Sequence, residues 1–176
     1  MLKFLRKAFR ATGGLAAVEF AFIAPVMITM VFGVIEVASA LNCNANVSAV
    51  ASTAADLVAQ ESQVTDADMA NVFAALNSLL YPFPTAPARI IITSIVDNGN
   101  GTAKVAWSNA QNTTARTVGA AMTVPTGLIT SGGSVIFAEI SYSYTSPSTS
   151  IINAPITMTN TFYARPRRAA QIARVP

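Results

Sequence analysis

The sequence has no histidine, a single cysteine and few charged residues, which make up 11% of its 176 positions. Without histidine, imidazole acid–base catalysis, Ser-His-Asp triads and most zinc sites are excluded. The single cysteine, Cys43, cannot form a disulfide within the chain, so the fold depends on its core, a membrane anchor or its neighbours. We expect Cys43 to pack as a small apolar side chain rather than to form an intermolecular disulfide.

The net charge of +3 does not indicate a nucleic-acid partner, because it comes from the N-terminus. Four of the eleven basic residues lie in the first ten positions, and the chain from Leu15 onward has seven basic and eight acidic residues. We expect the basic C-terminal tail, residues 165–176, to be a solvated end, although it could instead contact an acidic partner surface. Outside the N-terminus, the basic cluster consists of Arg165, Arg167, Arg168 and Arg174.

A long apolar run follows the basic N-terminus. Phe20 to Ile35 has no charged residue, and as a helix it would measure about 24 Å, less than a bilayer core of ~30 Å. Spanning therefore also requires residues 15–18 and 37–41, so we predict a transmembrane helix over residues 15–41. Glu19 and Glu36 then lie towards opposite interfaces, and the basic end stays in the cytoplasm.

Three residues of this run bear on helix shape and packing. Pro25 removes a backbone hydrogen bond and predicts a kink or a locally melted turn. Gly33 allows another helix to approach closely. We group Glu36 with them as a packing residue near the outer end of the helix.

Glu19 is an ionisable group at the cytoplasmic end of the predicted helix, where lipid cannot solvate it. Cleavage after Gly14 would remove a basic leader, residues 1–14, and make Leu15 the new N-terminus. The α-amino group of Leu15 and the Glu19 carboxylate would lie about one helical turn apart. Each could neutralise the other, within one chain or between stacked chains.

The stretch from Gly14 to Phe20, with basic residues before it and an apolar run up to Glu36 after it, resembles the TadE-like family. These are pilin-like (pseudopilin) proteins of bacterial tight-adherence, Flp-type pilus systems. The resemblance covers residues 13–41 and implies a minor pilin in pilus biogenesis, secretion and cell adhesion. Gly14 would precede the prepilin peptidase cut, Glu19 would guide docking, and Phe20 matches the family's aromatic residue.

The resemblance also implies the location and the partners. The protein would lie in the bacterial inner membrane with its C-terminal domain in the periplasm, and could enter the extracellular pilus. Its partners would be the membrane, the major pilin, other minor pilins, the prepilin peptidase and the inner-membrane assembly platform. The large C-terminal domain favours a minor or initiating subunit over the repeating shaft.

Two other interpretations stay open. Ala38-Ser39-Ala40 could end an ordinary signal peptide, and cleavage after Ala40 would release a secreted binding module that contacts a ligand through its long loop. Alternatively, the helix could remain as an uncut anchor. An enzyme is not expected, and neither is a cofactor or metal, because acidic and basic residues are scattered singly. A carboxylate pair assembled by folding is left open.

Residues 42–84 are predicted to form a helical arm in two parts. Steps of three and four define an apolar seam in the first part, which could face sister subunits or this chain's own sheet. Residues 61–64 break the pattern, and Thr65 is predicted to cap a second helix that ends at residues 81–84. The seam comprises Ala40, Cys43, Val47, Val50, Ala54 and Leu57, and the second stripe comprises Met69, Val72, Phe73, Leu76, Leu79 and Leu80.

Residues 85–164 are predicted to be rich in β-strands. A hairpin pairs residues 89–96 with 102–108 through the Gly- and Asn-rich residues 97–101, which fit a tight turn better than a calcium loop. Further strands are predicted over 134–144, where Glu139 is a surface or paired carboxylate, and over 156–164, with a turn region over residues 146–155 between them. The fold class is α+β, with the long N-terminal helix and its arm packed against a small antiparallel sheet.

Overall fold

The computed structural model describes residues 13–97, 102–148 and 151–175. Residues 1–12 of the predicted basic leader and residues 98–101 of the predicted hairpin turn lie outside the described part of the chain. The chain divides into two compact units. One contains the chain up to Ala40 together with the loop of residues 145–154, and the other contains residues 41–144 and 155–176.

The first helix, α1, runs from Gly13 to Ala59. Its first half carries apolar side chains that are almost all exposed, with Phe22 at 78% and Val34 at 69%. This helix is long and apolar enough to cross a membrane, and its most apolar window is not buried against the rest of the chain. An exposed apolar surface of this size indicates membrane anchoring.

The second half of α1 belongs to the other unit and has the predicted apolar seam. Cys43, Val47, Val50 and Ala54 are fully buried, and Leu57 is half-buried. Cys43 is a free thiol inside this seam, so its burial agrees with packing as a small apolar side chain. The seam is at least partly a surface that packs within the chain itself.

The second helix, α2, spans Asp66–Leu79 and begins at the predicted cap. The Thr65 hydroxyl accepts a hydrogen bond from the Asp68 amide (3.1 Å), and the Thr65 amide donates to the Asp68 carboxylate (2.9 Å). Met69 and Leu76 are buried as predicted, but Leu79 is 39% exposed. Its assignment to the core was wrong because Leu79 lies at the edge of the apolar stripe, in the last turn of the helix.

The sheet has five antiparallel strands in the order β4-β3-β2-β5-β6. The central strand β2 pairs with β3 on one side and with β5 on the other, with a register shift at Ser94/Ile95. The predicted bounds of the last two long strands are confirmed, whereas β3 runs three residues further than predicted. The strands of this sheet are Ala88–Asp97 (β2), Ala103–Gln111 (β3), Ala121–Met122 (β4), Ser134–Tyr144 (β5) and Ile156–Ala164 (β6).

The long connection between β3 and β5 covers an apolar cluster on the sheet. Ile95, Val135 and Phe137 form the centre of this cluster. Met122, Val124 and Ile129 of the connection pack against it. Three apolar side chains of this connection are therefore partly buried on the sheet, whereas others, such as Val118 at 66%, are exposed.

Glu139 is a paired carboxylate, one of the two roles that the sequence predicts for it. Arg116, from the same long connection, approaches Glu139 to 2.5 Å and places its guanidinium 5.6 Å from the centre of the Phe137 ring. Both side chains are about one-third exposed. The pair therefore helps to hold the connection on the sheet, with a modest contribution expected from a partly solvated ion pair.

The C-terminal segment is a solvated end only in part: Arg165, Arg167 and Arg168 are exposed as predicted, whereas the residues after them pack against the rest of their unit. Ile172 is buried, and its carbonyl accepts a hydrogen bond of 2.8 Å from the Trp107 indole. Strand β7 (Ala173–Arg174) pairs in parallel with β1 (Gln63–Val64). Two of the arginines form ion pairs with acidic residues of the helices: Arg167 with Asp56, and Arg174 with Asp66.

Candidate assembly surface on the N-terminal helix

The residues predicted to form the processing site lie on open surface in the first turns of α1. Leu15 and Phe20 are each 64% exposed, and Glu19 is exposed as well. No atom lies within 4 Å of the position that a Cβ would occupy at Gly14. The surroundings of the Gly14–Leu15 bond within the described residues therefore leave room for a peptidase.

Glu19 lies four residues after Leu15 on the same helix. This separation corresponds to about 6 Å along the axis and places both residues on one face. Among the described residues, Glu19 forms no hydrogen bond or ion pair. The helix therefore presents an acid on a lipid-compatible surface, one turn from the residue that cleavage would turn into an amino terminus.

Pro25 lies inside α1 without interrupting it. The helix is continuous from Gly13 to Ala59, so the melted turn predicted as one alternative is not present. Because proline has no N–H, the carbonyl of Ala21 loses its usual helical donor. One turn later, the Thr29 hydroxyl donates to the Pro25 carbonyl (2.8 Å), a contact that often accompanies helix bending. A kink at Pro25 stays a prediction.

Glu36 has a very different environment from Glu19, although both lie on α1. It is 2% exposed, and the loop of residues 145–154 encloses its carboxylate. The Ile151 and Ile152 amides donate to Glu36 Oε2 (3.1 and 2.7 Å), and the Ser148 hydroxyl donates to Oε1. These donors, from the described part of the loop, replace water that an anion would otherwise need.

Gly33 lies one turn before Glu36 on the same side of the helix and meets the same loop. A Cβ at Gly33 would come within 2.8 Å of the Ile151 side chain. The sequence predicts that Gly33 lets another helix approach, and in the structure the neighbour in that space is a loop of the same unit. The absence of a side chain therefore makes room for Ile151 next to α1.

Sequence reasoning missed the role of this loop. It predicts only a turn region over residues 146–155, because serine, threonine and proline dominate there. The available signal was the Ile151-Ile152 pair inside an otherwise small and polar turn. A pair of large apolar residues in such a segment indicates that the loop contacts something, but it does not identify the contact.

The comparisons with known proteins agree with this picture of α1. A family model described as TadE-like protein matches residues 14–56. The whole match lies within α1 and reaches beyond residues 13–41, from which the resemblance was inferred. No curated protein and no solved structure matches the chain. The match confirms the resemblance inferred from the sequence: residues 14–56, within the N-terminal helix, are similar to the TadE-like family, and this similarity suggests a protein related to tight-adherence pili.

Proposed function

We propose that the protein is a minor pilin-like (pseudopilin) subunit in the biogenesis of a tight-adherence, Flp-type pilus. It inserts in the bacterial inner membrane with its N-terminus in the cytoplasm and its C-terminal part in the periplasm. The prepilin peptidase cleaves after Gly14. The subunit then joins the base or tip of the pilus through α1, in contact with the major pilin, other minor pilins and the assembly platform.

The observation that carries this proposal is the placement of Glu19. It is an exposed acid at the start of an exposed apolar helix, without a partner among the described residues. Lipid does not solvate a carboxylate, so a cation must neutralise it when the helix is inserted or packed. The amino group of Leu15, in the same chain or in a neighbouring subunit, would supply that cation once the leader is removed.

The C-terminal part supports a minor role rather than a place in the repeating shaft. Residues 41–176 contain a five-stranded sheet, two short strands and a helix. A closely packed shaft made of α1 helices leaves little room for a body of this size at every position. A subunit present in few copies, at the base or tip, avoids this constraint.

The proposal assigns a structural function to the protein, not an enzymatic one. Several acidic side chains are engaged in contacts that hold the fold together. Asp56, Asp66 and Glu139 form ion pairs with arginines, and Asp68 completes the cap of α2. These contacts account for half of the eight acidic residues in the sequence.

The environment of Glu36 supports retention of the helix after processing. A signal-peptidase cut after Ala40 would remove Glu36 and leave the Ile151 and Ile152 amides without the carboxylate that they bind. The helix also continues without a break through residues 38–41, where such a cut would fall. Cleavage after Gly14 leaves these contacts intact.

The decisive experiment is to measure the intact mass of the protein from cells that assemble the pilus. We expect the native chain to begin at Leu15. Gly14→Val should keep the leader, because the residue before the cut is changed, while the chain still inserts in the membrane. Gly13→Ala serves as the matched control and should be cleaved normally.

Three other results would contradict the proposal or part of it. A mature chain that begins at Leu41 would refute the pilin proposal and favour a secreted binding module. A chain that keeps Met1 would indicate a plain anchor. Normal cleavage of Gly14→Val would contradict the assigned role of Gly14.

A further inference from the structure

We propose that the described residues of the 145–154 loop, 145–148 and 151–154, form a second membrane contact, seated in the lipid interface beside the outer end of the α1 apolar segment. Its partner is the boundary between headgroups and acyl chains, which Ile151 enters. This inference rests on the insertion of α1, which is part of the proposed function. It adds a membrane-binding surface far along the chain from the N-terminal helix.

The depth of the loop follows from its contacts with α1. Within the predicted transmembrane helix of residues 15–41, the segment 15–35 measures about 31 Å and so covers a hydrocarbon core of ~30 Å, which leaves residues 36–41 at the interface. Gly33 and Glu36, which the loop contacts, lie in the last turn of this segment and just after it. A loop fixed at these two residues lies level with the outer boundary of the hydrocarbon region.

The composition of the loop suits this position. The sequence has no charged residue between Glu139 and Arg165, so the loop, the last five residues of β5 and all of β6 carry no ionised side chain. Ile151 is 48% exposed. Its neighbours along the end of α1 are also exposed and apolar, with Val34 at 69% and Val37 at 51%. Ile151 thus extends the apolar surface of the anchor itself, and the partner already indicated for that surface is lipid.

The burial of Glu36 has a physical explanation at this depth. A carboxylate at the lipid boundary loses part of its hydration and requires other donors. The loop provides the Ser148 hydroxyl and two backbone amides and reduces the exposure of Glu36 to 2%.

The test uses the full chain, reconstituted at low density in vesicles of phosphatidylethanolamine and phosphatidylglycerol. In a Cys43→Ala background, Ile151→Cys is labelled with an environment-sensitive fluorophore. Val34→Cys is the control for lipid, and Val118→Cys, which replaces a valine that is 66% exposed, is the control for water. If the Cys43→Ala background impairs insertion, the wild-type background replaces it, because the Cys43 thiol is buried.

We expect brominated lipids to quench the labels at positions 151 and 34 and not the label at position 118. Quenching at 34 without quenching at 151 would overturn the loop contact and leave the membrane anchor intact. Absence of quenching at both positions would refute insertion of α1 itself. Protection of position 151 that appears only in assembled pili would assign the loop to a neighbouring subunit and overturn the lipid contact.

Discussion

The two carboxylates at either end of the apolar segment of α1 have opposite environments. Glu36 is almost fully buried and receives hydrogen bonds from Ser148, Ile151 and Ile152. Glu19 is exposed and has no partner among the described residues. The chain therefore supplies hydrogen-bond donors to Glu36 from its own loop. We interpret Glu19 as the binding site for a cation, which is the α-amino group exposed by cleavage in the same chain or in another subunit.

A third acid, Asp68, lies in the other unit and has a different environment again. Asp68 is fully exposed, and the hydrogen bond from the Thr65 amide lowers the pKa of its carboxyl, followed by that from the Thr65 hydroxyl. Water can replace these hydrogen bonds to the Asp68 carboxylate, so they contribute little to the free energy of unfolding. We therefore expect the largest effect from removing the Glu19 carboxylate, a smaller effect from removing the Glu36 carboxylate, and the smallest effect from removing the cap of α2.

The largest effect is expected for Glu19→Ala, which removes the acid that docking requires. Loss of one member of a desolvated ion pair costs about 3–5 kcal/mol, so the subunit recovered in sheared pili should fall by more than a hundredfold. Cleavage before Leu15 should continue. The measurement is the amount of subunit in the pilus fraction, together with the intact mass of the chain.

Glu61→Ala is the matched control, because Glu61 is an exposed acid in the turn after α1. It should leave incorporation unchanged. Incorporation of Glu19→Ala at the wild-type level would contradict the docking role and remove the basis for the comparison.

An intermediate effect is expected for Glu36→Ala, which leaves the loop of residues 145–154 without its acceptor. A hydrogen bond to a charged group contributes roughly 2 kcal/mol, about a 30-fold change in an equilibrium. Hydrogen exchange at the Ile151 and Ile152 amides should accelerate by that order in the reconstituted protein. Glu19→Ala should leave these two amides protected, and equal protection in both variants would contradict the assigned contact.

The smallest effect is expected for Thr65→Ala, which removes one half of the capping box of α2. Loss of an N-cap side chain typically lowers the melting temperature of a domain of this size by about 2–4 °C at neutral pH. Thr114→Ala, an exposed threonine in the connection between β3 and β4, is the control and should have no effect. A thermal melt of the purified chain is the measurement.

This variant also has an expected pH dependence. The pKa of Asp68 is lowered in the folded protein, so the stability from its ionised form is present above the unfolded pKa. It is lost as the pH falls through the folded pKa, where the carboxyl binds a proton. The difference between wild type and Thr65→Ala should shrink as the pH falls below about 4. A difference that stays constant down to acidic pH would exclude the hydrogen bond from the Thr65 hydroxyl to the Asp68 carboxylate as its source.

The parts that the sequence predicted well are those set by local patterns. The apolar run and its flanking charges predict the anchor, steps of three and four predict the seam of α1, and Thr65 with Asp68 predicts the start of α2. The bounds of β5 and β6 follow from alternation along a single strand. Each of these features depends on residues close together in the chain, and the sequence displays such residues directly.

The outcomes that the sequence did not predict depend on residues far apart in the chain. Two arginines of the C-terminal segment, Arg167 and Arg174, form ion pairs with acidic residues more than a hundred positions away in the sequence. Glu36 finds its donors in a loop of serine, threonine and isoleucine that shows no sign of binding an anion. One-dimensional patterns report propensity and periodicity, whereas such pairings require the chain to fold first. The sequence alone therefore determined the anchor, the acid at its start and the family resemblance. Only the tertiary structure decided that Glu36, and not Glu19, receives hydrogen bonds from another part of the chain.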